Sequence, residues 1–175
     1  MNITKTDLSG VLCIDIEAKT DNRGFFARTW DAAFAKENAL VERFDYSCIS
    51  GNTKMHTLRG MHWQKAPHGE TKLVRCTRGR MLDVVVDLRP ESSTFQAWTS
   101  VELSSKNHQA LYIPEGFAHG FLTLEDATEV LYDIAGAYVP DASAGVRFDD
   151  PAFSIVWPAA PAIISGRDAS YPDFL

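Results

Sequence analysis

Nine segments of this chain carry apolar or β-branched residues at short spacing: GVLCIDIE, RFDYSCIS, TLRGMHWQ, KLVRCTRG, RMLDVVVDLR, AWTSVELS, QALYIPEG, GFLTLE and TEVLYDIAGAY. Clusters of Gly, Pro, Asn, Asp and Ser separate them, so the chain is cut into strands too short to be helices of any length. A series of this kind predicts an all-β barrel or a two-sheet sandwich. The one good helical pattern is TWDAAFAKENAL, residues 29–40, placed before the dense strand region. From Pro140 the tail is rich in turns, with Pro151, Pro158, Pro161 and Pro172, and is expected to hold only short helical turns. At 175 residues, without a repeat or a linker, a single domain spanning 1–175 is expected.

The stretch TLRGMHWQKAPHGETKLVRC, residues 57–76, places Arg59, His62 and Lys72 in and around two segments that otherwise read as buried strand. Each of these groups costs several kcal/mol to desolvate unless something pairs with it, so their clustering points to a lined cavity that attracts an anion. In LYIPEGFAHGFLTL, residues 111–124, His119 lies between Gly116-Phe117 and Gly120-Phe121, which predicts close backbone approach and an apolar wall. Strict alternation along 57–64 would send Arg59 and His62 to opposite faces. A bulge at Gly60 would bring them to one face, and glycine is the residue that tolerates it best.

The net charge of −6 argues against general binding to nucleic acid or to a membrane surface, so any attraction for phosphate must be local. Cys13, Cys48 and Cys76 are odd in number and far apart, without a CxxC, and MNITKTDLSG has no apolar core of a secretory signal. A reducing cytoplasm is the expected location. No apolar run approaches the ~18 residues of a membrane span.

A lone histidine among apolar side chains is ordinarily a satisfied core residue. Here Lys72 and a second histidine supply the parts of carbanion chemistry: a base poised near neutral pH and a cation for the oxygen of an enolate. Metal binding is the rival reading. It is disfavoured because there is no HxH pair, Glu70 lies past the Ala-Pro turn, and Lys72 would repel a cation.

DNRGFF at 21–26, LRGMHWQ, KLVR, DVVVDLR, LYIPEGFAHGF, LYDIAGAYVP, DDPAFSIVWP and SGRD occur in an order that resembles the dTDP-4-dehydrorhamnose 3,5-epimerases of the cupin superfamily, over nearly the whole chain. The resemblance implies a cupin-type jelly-roll barrel with a short N-terminal helix. It implies a homodimer with exchanged N-terminal strands, a nucleotide-sugar substrate, and neither metal nor organic cofactor. Position by position, His62 matches the proton acceptor, Asp168 the carboxylate that orients it, Tyr132 the proton donor on the opposite side of the sugar, and Lys72 and Arg59 the cations at the 4-keto oxygen and neighbouring groups. His119 matches a substrate contact, Tyr138 the aromatic that stacks on the base, and Arg23 a basic residue reaching the nucleotide. Without the resemblance, Tyr132 and Tyr138 would read as core aromatics, and Asp168 and Arg23 as turn residues.

The chain also departs from the family pattern. Arg28 stands for a glutamate, Tyr46 and Cys48 for a Gln-x-Asn pair, Ser143 for a glutamate, Arg167 for a lysine, and His56 for the glycine before the LRG strand. A nucleotide other than dTDP, or a different sugar, becomes plausible, while Arg167 keeps a phosphate partner capable of bidentate contact. The reading is epimerisation at C3 and/or C5 of an NDP-4-keto-6-deoxyhexose through an enolate, in deoxysugar biosynthesis. The alternatives are a mono-epimerase, a 3,4-ketoisomerase, a non-catalytic sugar-nucleotide binding module and a metal cupin.

Overall fold

In the computed structural model, which describes residues 1–174, the chain opens with four short strands, β1 (Asn2–Lys5), β2 (Leu12–Asp15), β3 (Lys19–Asp21) and β4 (Gly24–Phe26), then a helix, α1 (Ala32–Glu37). The main strands follow: β5 (Tyr46–Asn52), β6 (Thr57–Gln64), β7 (Thr71–Arg78), β8 (Arg80–Asp87), β9 (Trp98–Ser104), β10 (Ala110–Ile113), β11 (Phe117–Thr123) and β12 (Thr128–Ala135). The tail adds β13 (Ser143–Gly145), β14 (Ile163–Ile164) and a one-turn helix, α2 (Gly166–Ala169). Helix α1 is shorter than the pattern over 29–40 because Asp31 caps it, accepting from the Phe34 N–H, and Ala39 turns to a positive φ just past its end.

One main sheet has the order β1-β2-β10-β7-β12-β5 and the other β13-β6-β11-β8-β9, with β14 added in parallel to β6, while β3 and β4 pair only with each other. This corrects the expected cupin-type jelly-roll barrel. The architecture is all-β and mostly antiparallel with a short helix, but among the described residues neither sheet closes, since β5 pairs only with β12 and β9 only with β8. Closure would require such edge strands to share a hydrogen-bond ladder.

The main core lies between the two sheets: Val74, Cys76, Leu111, Ile113 and Val130 of the first meet Met81, Val85, Leu103, Phe117 and Phe121 of the second. The outer face of the second sheet is covered by the proline-rich tail, with Phe153, Ile155 and Trp157 packed on Met61, Val84 and Val86. The outer face of the first is covered by the segment around α1, with Trp30, Leu40 and Phe44 over Leu73 and Tyr112. The tail therefore needs no long helix; it is an apolar cover. Among the described residues no helix is long and apolar enough to cross a membrane.

Candidate active site

The interior between the sheets is packed at one end and open at the other, where a cavity of about 860 Å³ lies between β5, β7 and β12 on one wall and β6, β11 and the tail on the other. That is ample for a sizeable small-molecule ligand. Tyr46, Cys48 and Ser50, spaced by two along β5, line it side by side, and Cys48 faces Tyr132 across the strand pair.

Opposite them, β6 carries the bulge expected at Gly60. His62 pairs with His119 and Arg59 with Phe121, so two residues of β6 stand against Gly120 alone. Phe121 points into the main core. Period two then puts His119, and the partners Arg59 and His62, on the inward face. Gly60 has φ +130°, and a Cβ on it would stand 2.5 Å from the Gly120 Cα. Only glycine fits both requirements.

His62 is held by the tail. Strand β14 runs beside Thr57 and Leu58, Ser165 caps α2 by accepting from the Asp168 N–H, and Asp168 is thereby delivered, 4 % exposed, to His62. Its Oδ1 lies 2.7 Å from His62 Nε2, and its Oδ2 accepts from the Gly60 N–H at 3.2 Å. One carboxylate thus ties the bulge to the imidazole. With Nε2–H donated to Asp168, Nδ1 is left as the free basic nitrogen. Burial drives the His62 pKa below its ordinary value; the Asp168 hydrogen bond and charge oppose that, and Lys72 adds to it. The unprotonated base is therefore favoured at neutral pH.

Lys72 reaches the cavity from β7, donating to the His62 carbonyl at 3.4 Å and pairing with Glu70 at 3.0 Å. Arg59 is fixed by Asn52, whose Oδ1 accepts from its Nε at 2.8 Å. His119 and Asp83, both buried, meet at 2.6 Å, and the His119 ring lies edge-on to Tyr132. Burial pushes the Tyr132 hydroxyl well above the ordinary tyrosine range, and the Asp83 charge adds to it, so the phenol keeps its proton. Tyr138 is 59 % exposed, and the carbonyl of its neighbour Ala137 and the N–H of Val139 are both bound by the Gln64 amide. Arg167 donates to Ser143 Oγ at 3.0 Å.

Of the site residues read from the sequence, His62, Tyr132, Lys72, Asp168, Tyr46, Cys48, Arg59, His119, Tyr138 and Arg167 all line this cavity. Arg23 and Arg28 do not. Arg23 projects from the β3–β4 hairpin with its side chain 85 % exposed, paired to Asp21, and Arg28 is paired to Asp31. Sequence reading passed over Asn52, Asp83 and Gln64, and weighed Glu70 only as a metal ligand. Asp83 had a signal, an aspartate inside the apolar run MLDVVVDL, where a carboxylate must find a buried partner. Among the described residues no group of three or more His, Cys, Asp or Glu is arranged to hold a metal ion.

The His62 imidazole is expected to titrate by NMR with a midpoint below the ordinary ~6.5 of histidine, because burial opposes its charged form. Asp168→Asn removes the carboxylate charge that raises that pKa, so the midpoint moves lower still. A midpoint that moves up in the variant contradicts this pairing.

The family model for dTDP-4-dehydrorhamnose 3,5-epimerase matches residues 5–175. A Methanothermobacter thermautotrophicus protein of that name is 42% identical over 174 residues, covering 95% of this chain and 91% of its own. The crystal structure of the Bacillus anthracis dTDP-4-dehydrorhamnose 3,5-epimerase with TDP and PPi bound superposes with a TM-score of 0.95 at 34% identity, covering 99% of each chain. ChmJ, a 3'-monoepimerase from Streptomyces bikiniensis solved with dTDP-quinovose, gives a TM-score of 0.89 at 28% identity, covering 96% of this chain and 85% of that one.

Proposed function

Because this chain belongs to the dTDP-4-dehydrorhamnose 3,5-epimerase family, we propose a division of labour in the cavity for the reaction of that family. The activity is C3/C5 epimerisation of an NDP-4-keto-6-deoxyhexose, an isomerase reaction of deoxysugar biosynthesis. His62 Nδ1 takes the proton from a carbon next to the C4 ketone, and the electron pair moves onto O4. Lys72 holds the resulting enolate oxygen. Tyr132, on the opposite wall, gives its phenolic proton to the other face of the same carbon. The imidazolium and phenolate left behind then return to their resting states by proton exchange with water. A base and an acid on opposite walls with a cation between them is the arrangement inversion requires. The observation that carries the reading is the Asp168–His62 pair at 2.7 Å facing Tyr132 across one cavity.

Arg59 and Arg167 serve the diphosphate, His119 the sugar, and Tyr138, exposed at the mouth, the base. Tyr46 and Cys48 line the wall beside Tyr132, so their replacement of the usual amides bears on which sugar or nucleotide is accepted. We read the active form as a homodimer with exchanged N-terminal strands, a single epimerase domain per chain, in which Arg23 and Arg28 serve the other subunit's cavity. The support is the hairpin itself, where Phe25 and Phe26 stand 51% and 78% exposed beside Arg23. A cytoplasmic location fits the three free thiols, Cys13, Cys48 and Cys76.

The test is proton NMR in D2O of dTDP-4-keto-6-deoxyglucose with the protein, the GDP and CDP analogues alongside. Deuterium at C3 and C5 is the expected result; at one carbon it indicates a mono-epimerase, and a shifted carbonyl a ketoisomerase. Tyr132→Phe is expected to keep solvent exchange on the His62 side while slowing inverted product at least ~10²-fold. Unchanged product formation by that variant would remove Tyr132 from the donor role.

A further inference from the structure

We propose that Glu70 is the positioning residue of the enolate clamp: it holds the Lys72 ammonium in place for O4 and keeps it away from Asp168. The proposal rests on the reaction assigned above. Lys72 Nζ is ion-paired with Glu70 Oε1 at 3.0 Å and donates one of its three N–H groups to the His62 carbonyl at 3.4 Å, so the pair fixes the ammonium while donor capacity is left for a ligand in the cavity. Both side chains of the pair are nearly buried, at 9 % and 11 % exposed, so the ammonium depends on this partner far more than a surface lysine would.

The cavity is lined by two carboxylates, Glu70 and Asp168, and each has its own cation or imidazole. Both oxygens of Asp168 are already committed, to His62 and to the Gly60 N–H. A Lys72 released from Glu70 would be drawn to Asp168 and would compete with the imidazole for it, so losing Glu70 disturbs clamp and base together. The backbone carrying Glu70 is itself locked. A Cβ on Gly136 would stand 2.8 Å from the Gly69 carbonyl and 3.3 Å from the Glu70 Cα, and one on Gly69 would meet the Glu115 side chain. The turn between β6 and β7 thus presents Glu70 at a fixed height beside the strand that carries Lys72. From the sequence this residue had been weighed only as a metal ligand.

The experiment measures kcat and KM for dTDP-4-keto-6-deoxyglucose and the dissociation constant of dTDP for the wild type, Glu70→Gln, Glu70→Ala, Lys72→Ala and the Glu70→Ala/Lys72→Ala pair. Glu70→Gln keeps an acceptor without the charge and is expected to lose about tenfold in kcat, and Glu70→Ala ~10²-fold, the cost of a reacting group misplaced by about an ångström. KM and dTDP affinity stay within about threefold, and the double variant is no slower than Lys72→Ala alone, because Glu70 acts through Lys72. If Glu70→Ala does not fold, Glu70→Gln carries the test, being nearly isosteric. Wild-type kcat in Glu70→Gln and Glu70→Ala, a loss confined to KM, or additive losses in the double variant would each overturn the proposal and leave the epimerase reading standing. A wild type that exchanges no proton overturns both.

Discussion

His62→Ala is expected to lower turnover by ~10²–10⁴-fold, the usual contribution of a positioned general base, with dTDP binding largely kept. The imidazole is held against a buried carboxylate through Nε2, which leaves Nδ1 as its basic nitrogen, and its depressed pKa favours the unprotonated form at neutral pH. The nucleotide is expected to meet other residues, Arg59, Arg167 and Tyr138, which the substitution leaves in place. His62→Gln is the companion variant, since its amide reaches the position of Nε2, can still donate to Asp168 and spares the carboxylate an unpaired burial. Solvent exchange at C3 and C5 is expected to vanish in both variants. Exchange that persists at a comparable rate would assign the proton to another base.

Gly60→Ala is expected to be the most damaging single change to the framework. The positive φ gives a side-chain-bearing residue a strain of ~1–3 kcal/mol, and the new Cβ, 2.5 Å from the Gly120 Cα and 3.0 Å from the His119 carbonyl, adds overpacking of ~1–3 kcal/mol. Against a total of ~5–15 kcal/mol, that is a large share. The clash is between two backbones, so neither side can rotate away from it. Relief must separate β6 from β11, which moves His62 and His119 apart and breaks the Gly60 N–H bond to Asp168. Urea unfolding with a midpoint well below wild type, together with at least ~10²-fold loss of kcat, is the expected result. A variant with wild-type midpoint and activity would mean that the bulge does not depend on glycine.

Strand positions were legible because alternation and turn clusters are local. The bulge was legible too, since Arg59 and His62 could share a face only if Gly60 broke the period, and the pairing with Phe121 and His119 bears this out. Closure was not. Whether β5 and β9 find partners depends on the spatial order of strands, which alternation does not encode, and the expected barrel is instead a pair of open sheets. The convergence of His62 with Asp168 was visible only through resemblance, because they lie 106 positions apart and Ser-Gly-Arg-Asp reads locally as a turn. Glu70 was legible as a residue but not as a partner: its contact with Lys72 depends on the turn that Gly69 and Gly136 press into place. Arg23 matched the family pattern and Arg28 departed from it, yet within one chain they bind Asp21 and Asp31.

The distance along the chain between His62 and Asp168 also orders events during synthesis. At ~5–20 residues per second, the histidine leaves the ribosome roughly 5–20 s before its carboxylate, which lies 106 positions further along the chain. By then every strand from β1 to β13 has been made. The sandwich strands are therefore made before the carboxylate that holds the His62 imidazole, and a chain that ends before residue 165 has β5 to β12 but no Asp168 for the ring to bind.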